Sequence, residues 1–190
     1  MFCVLKYLVA PLAASVVMGC GGGGGDNHAA DLASNPVLLQ AGNQTVRLDR
    51  PDRYVLDVPS ANNRVTVGPR SSLIAIRVNG TGNTLLVESN SSVDLMDITG
   101  ANNAVTLADH VTVPTLRIAG SNGSVSIGAA DVIGTLAILG SNTSATVTDG
   151  TATVTRIELS GSNTVVSLPA GFRAVTTIVD TGANNSVSER

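Results

Sequence analysis

The chain has 190 residues and a formal net charge of −3, with two Phe, two Tyr and no Trp. That length allows one domain plus an export segment. The mildly acidic balance excludes the clustered positive charge of a nucleic-acid footprint, so no nucleic-acid partner is expected. Val, Ile, Leu, Thr, Ser, Asn and Gly dominate, which are residues of short strands and tight corners rather than helices.

Residues 1–19 read as a secretory signal. Lys6, the only lysine, supplies a weak positive start, and an apolar run from Leu8 to Met18 follows. The run is too short for a transmembrane helix, which needs about 20 apolar residues. It ends in Val17-Met18-Gly19-Cys20, which resembles the lipobox of bacterial lipoproteins. That resemblance implies lipidation of Cys20 by several acyl chains, palmitate among them, and a stable membrane anchor. Met18 departs from the small residue usual at its slot. Residues 20–35, with the run Gly21 to Gly25, then form a flexible tether. Its reach is on the order of 20 Å. Gly21 after the Cys, rather than Asp, is the outer-membrane pattern of such lipoproteins. Cys3 lies in the segment expected to be removed, so no disulfide is expected within the mature chain.

Residues 36–190 repeat about every twenty residues. The corner position runs through Ala41, Ser60, Gly80, Gly100, Gly120, Gly140, Gly161 and Gly182, and two residues later come Asn43, Asn62, Gly82, Asn102, Asn122, Asn142, Asn163 and Asn184. Gly and Asn both tolerate left-handed backbone angles, so each repeat turns here. Apolar columns flank the corner at period two. Before it stand Ile76 and Val78, Met96 and Ile98, Leu116 and Ile118; after it stand Leu85 and Val87, Val105 and Leu107, Val125 and Ile127. A further apolar column holds Leu73, Val93, Val113, Ile133, Val154 and Val175. Period two within a flank is the strand period, and period twenty between flanks is a solenoid period. A handful of aliphatic side chains cannot offset the ordering of twenty residues, so no repeat stands alone.

The pattern predicts an all-β parallel β-helix of about eight coils, with residues twenty apart stacked in register. The alternative is an antiparallel sandwich or barrel of hairpins. One outward column favours stacking: Asp57, Arg77, Asp97 and Arg117 alternate in sign at repeat spacing, as a ladder of opposite pairs requires. The Asn column adds to it, because stacked amides can bond as ladders. Asp180 and Glu189 fall in columns that are aliphatic in earlier repeats, which suits a blunted open end.

The Gly-Ser/Ala-Asn-x-x-Val repeats over residues 40–188 resemble a bacterial family of exported repeat proteins catalogued as domain of unknown function 3060. The resemblance implies no known activity and no catalytic residues.

Candidate chemistry is sparse. Asp94 and Asp97, near Glu88 and Arg117, are the nearest approach to a carbohydrate-active β-helix site. Asp97 is better explained by the charge ladder, and Asp94 as a solvated corner residue. His28 sits in the tether, and His110 with Asp109 in a turn. Asp109, Asp131 and Asp149 occupy comparable turns, but the calcium β-roll motif is missing. No cofactor or metal site is therefore expected. The outward columns Thr84 with Leu86, Ala104 with Thr106, Ser124 with Ser126, Ser144 with Thr146 and Ser186 with Ser188 resemble the hydroxyl rows of ice-binding solenoids, interrupted by Arg64, Leu86 and Val165. The expectation is a non-enzymatic, lipid-anchored envelope module that is structural, adhesive or protein-binding. Its partners would be the membrane through Cys20 and a protein or surface polysaccharide. The alternatives are a carbohydrate-active enzyme and an ice- or surface-binding solenoid.

Overall fold

Each twenty-residue repeat becomes one coil of two strands. A computed structural model describes residues 36–172 and 176–190, together with one backbone strand at Val17–Met18. The signal segment, Cys20, the tether with His28, and Val175 otherwise lie outside the described residues.

Strand β1 is Val17–Met18 and β2 is Pro36–Leu38. The even-numbered strands that follow are β4 (Tyr54–Val58), β6 (Ser72–Val78), β8 (Ser92–Ile98), β10 (Thr112–Ile118), β12 (Val132–Ile138), β14 (Thr153–Leu159) and β16 (Thr177–Asp180). The odd-numbered ones are β3 (Thr45–Leu48), β5 (Arg64–Val67), β7 (Thr84–Val87), β9 (Ala104–Leu107), β11 (Ser124–Ile127), β13 (Ser144–Val147), β15 (Val165–Leu168) and β17 (Ser186–Glu189). The even strands from β2 to β16 pair in order as a parallel sheet, here sheet A, and β1 joins its β2 edge antiparallel. The odd strands from β3 to β17 form a parallel eight-stranded sheet B. The parallel β-helix is thus the fold, and the hairpin alternative is excluded by the parallel pairing.

Register follows the repeat. Leu116 stands between Met96 and Leu136, and Val125 between Val105 and Ala145. The one-residue insertion after Thr148 makes the later step twenty-one, so Leu136 stacks on Ile157. The apolar columns close a single core between the sheets, with Ile76, Met96, Leu116, Leu136 and Ile157 fully buried. In the long strands of sheet A, Leu73 and Ile76 both face inward with two residues between them, so strict alternation breaks there. Burial fades at the last coil, where Ile178 and Val187 are only partly covered.

Candidate functional site

The corner after sheet A shows why its residues are what they are. The reading that Gly and Asn both supply left-handed backbone needs correction. Asn43, Asn62, Gly82, Asn102, Asn122, Asn142, Asn163 and Asn184 do adopt φ between +54° and +68°. Gly80, Gly100, Gly120, Gly140, Gly161 and Gly182 do not. They are glycine for want of room. A Cβ on any of them would sit 1.8–1.9 Å from the carbonyl oxygen of the corner residue one coil earlier. The approach is close because two successive amides converge on one carbonyl: Ala119 and Gly120 both donate to Ile98, and Leu139 and Gly140 both donate to Ile118.

The left-handed residue then turns its amide the other way. Asn102 donates forward to the Ser121 carbonyl and Asn122 to that of Ser141, whereas neighbouring strand-end amides donate backward. The next amide also points forward, where a side chain receives it. The Asn63 amide donates to Asn83 Oδ1 and the Asn83 amide to Asn103 Oδ1, each at 2.8 Å. The Nδ2 atoms of Asn83 and Asn103 donate back to the carbonyls of Ser60 and Gly80. All three Asn are buried. A second ladder, of backbone amides donating to side-chain oxygens, thus runs one residue after the outer Asn column and inside the coil. The outer column shows exposed Asn-to-Asn bonds of 3.3 Å at Asn142–Asn122 and Asn163–Asn142. Gly123 interrupts the inner ladder, and Thr143 and Thr164 continue it with side chains too short for the same reach. The Thr164 hydroxyl is buried without a partner.

The opposite corner, after sheet B, repeats the scheme with other residues. Arg70, Asn90, His110 and Ala130 are left-handed, with φ between +54° and +63°, and Arg70, Asn90 and His110 donate forward to the next coil. Sequence reasoning missed this column, because Arg70 and Ala130 carry no signal of positive φ and mask the one that Asn90 and His110 carry. The following amide is again caught by a side chain: Ser71 by Ser91 Oγ at 3.2 Å, and Val111 by Asp131 Oδ1 at 2.7 Å.

Asp131 therefore does not share a turn position with Asp109 and Asp149. It is fully buried, and its Oδ2 also accepts from the Gly128 amide at 2.7 Å. Burial pushes its carboxyl above the ordinary range, against the two backbone bonds; Asp109 adds to the rise and His110 opposes it. Asp109 accepts from the Ala129 amide, and Asp149 from the amide and hydroxyl of Thr151. Thr151 holds the Asp149 carboxyl below the ordinary range. Among the described residues, no three His, Cys, Asp or Glu side chains come together as a metal site would need.

The outward charges pair in twos rather than as an unbroken ladder. Asp57 meets Arg77 at 3.5 Å and Asp97 meets Arg117 at 2.8 Å. Glu88 takes a bidentate grip from Arg47, two coils earlier, at 2.5 and 2.8 Å. Asp94 lies within β8, not at a corner, and pairs with Arg53, also two coils earlier. Each carboxylate nominated for carbohydrate chemistry thus has an arginine on it. On sheet B the hydroxyls align in register: Ser124 beside Ser144, and Ser126, Thr146, Ser167 and Ser188 in one row. On sheet A an open depression of about 420 Å³ runs from Arg117, Ala137 and Leu139 across Glu158 and Ser160 to Val179 and Thr181. Comparison with family models, curated proteins and solved structures returned no match.

Proposed function

We propose that the chain is an exported, lipid-anchored β-solenoid of the bacterial cell envelope, held to the outer membrane through Cys20 and acting without chemistry of its own. Its role is structural, adhesive or protein-binding, toward a protein or surface polysaccharide. The observation that carries this reading is the order of parts. A Cys follows an apolar segment, a glycine run follows the Cys, and a regular stack of coils begins at Pro36. A non-enzymatic role is supported by the arginine pairing of Glu88, Asp94 and Asp97. Membership of the exported Gly-x-Asn-x-Val repeat family belongs to the same proposal, through the Gly100-to-Asn102 and Gly120-to-Asn122 type of corner.

Fractionation of cells expressing the chain or its Cys20→Ser variant tests the anchor. The expected result is that the wild type stays with the outer membrane while the variant is released. Retention of both would sink the reading.

A second reading has one observation in its favour. The hydroxyls of sheet B stand in register over several coils, as a flat surface-binding array requires. Thermal hysteresis and ice recrystallisation assays decide it. Activity lost in a Ser126→Tyr variant would support it, and no activity in the wild type would retire it.

A further inference from the structure

The outer face of sheet A is charged along most of its length, through Arg53–Asp94, Asp57–Arg77, Asp97–Arg117 and Arg156–Glu158. Strand β12 breaks the pattern. Its outward residues Val132, Gly134, Thr135 and Ala137, with Leu139 just beyond, carry no charge. Val132 is 48 % exposed and Leu139 40 %, and only Val165 joins them as a large exposed apolar side chain among the described residues. The depression is bordered by Ala137 and Leu139 on this strand's side and runs on past Glu158 and Ser160 to Val179 and Thr181.

We propose that this face is a self-association surface, on which two molecules pack face to face with their rods antiparallel. The argument is charge register. Arg117, Ala137 and Glu158 are direct neighbours on β10, β12 and β14. One coil to one side of Ala137 is a positive charge, and one coil to the other side is a negative one. A two-fold axis lying in the interface along β12 carries each coil onto its counterpart across the axis. Arg117 then faces the second copy's Glu158, and Glu158 the second copy's Arg117. Thr115 faces Arg156, and Asp97 faces Val179, so no like charges oppose. An axis along the rod would instead set Arg117 against Arg117 and Glu158 against Glu158. Along the chosen axis the uncharged residues of β12 meet themselves, and Leu139 packs against the second copy's Leu139.

Size sets the class of interface. Strands of seven residues at about 3.3 Å and five coils at about 4.8 Å cover roughly 550 Å² per copy. Some 1,100 Å² in total is near the lower limit of specific interfaces, roughly 1,000–1,200 Å². An interface of that size belongs with transient, reversible associations. The proposal stands whether or not Cys20 is lipidated.

The test uses the full chain carrying Cys3→Ser and Cys20→Ser, so that an introduced thiol is the only one. Ala137→Cys places it on the two-fold axis. Ser124→Cys places it on the outer face of sheet B as the control. Mild oxidation is expected to give a covalent dimer from Ala137→Cys and none from Ser124→Cys. Sedimentation of the thiol-free chain is expected to show reversible dimerisation, weakened at least tenfold by Leu139→Asp. Equal cross-linking at both positions, no cross-link at residue 137, a monomer at every concentration, or a Leu139→Asp dimer of unchanged strength would each overturn the proposal.

Discussion

The two corners of each coil solve one problem with different residues. In both, a left-handed residue turns its amide toward the next coil, and a side chain from that coil catches the amide after it. At the corner after sheet A, the left-handed residue is Asn in every coil but one. The Gly before it has backbone packed where a Cβ would go. At the corner after sheet B, Arg70, His110 and Ala130 take the same φ. A tight corner thus constrains its residue types, and a roomier one leaves them free.

Substitutions sharpen that contrast, and the largest effect belongs to the tight corner. Gly120→Ala drives a methyl into the Gly100 carbonyl, 1.8 Å away, and the backbone on both sides must shift. The expected loss is about 3 kcal/mol, read as a lower midpoint in denaturant titration. Next comes Asn83→Ala, which strands the buried Asn63 amide and removes the bond to the Ser60 carbonyl. A loss of about 2 kcal/mol is expected. A loss equal to that of Asn122→Ala in the exposed outer column would show that the inner ladder has no special weight.

Two substitutions should stabilise. Gly123→Asn restores the inner ladder by giving the Asn103 amide an acceptor in the next coil. A Cβ there meets nothing nearer than Ile118 Cγ2 at 3.5 Å, so a gain of about 1 kcal/mol is expected. Ala130→Gly relieves a methyl-bearing residue at φ +54°. The gain is about 0.5 kcal/mol, because the added freedom of the unfolded chain offsets part of it. The same change at Asn122 should gain nothing, since Asn already tolerates that φ.

The smallest effect is a slope. Burial holds the Asp131 carboxyl above its ordinary value of 3.8, so folding favours the protonated form. Its contribution is whole below that value and is lost as pH rises through the folded-state value. Asp131→Asn keeps an oxygen for the Val111 amide but turns an amide nitrogen toward the Gly128 N–H. Relative to wild type, the variant should therefore gain stability as pH rises from 3.8, and level off once Asp131 is ionised. A difference that does not change with pH would show that burial leaves this carboxyl unperturbed.

Coil length, strand positions and inward columns were legible in the sequence because a two-residue alternation beside each corner recurs about every twenty residues. Ile76, Met96, Leu116 and Leu136 could be aligned before any coordinates, and they stack as aligned. The inner Asn ladder was not legible, since Asn63, Asn83 and Asn103 adjoin the outer Asn residues and look like the same corner. Direction separates them: the outer side chain faces solvent and the inner one the core. Asp131 looked like a turn acid because its partners are backbone amides, which leave no mark on composition. Arg47 and Arg53 were not linked to Glu88 and Asp94, because their pairing skips a coil and so breaks the twenty-residue spacing that guided the reading.

Those two skipping pairs make the rod unequal as a mechanical object. Arg47 reaches Glu88 along one side and Arg53 reaches Asp94 along the other, so each braces three consecutive coils at the N-terminal end. At the other end the bond that skips a coil is a single one to a neutral carbonyl, from Arg190 Nη2 to Val147 at 3.3 Å, and there Ile178 and Val187 are half-covered. In a stack held only by nearest neighbours, the weaker end peels first and the loss propagates coil by coil. The thinner-cored coils of Ile178 and Val187 are therefore expected to peel first, and the end braced by two ion pairs is the one beside the proposed anchor.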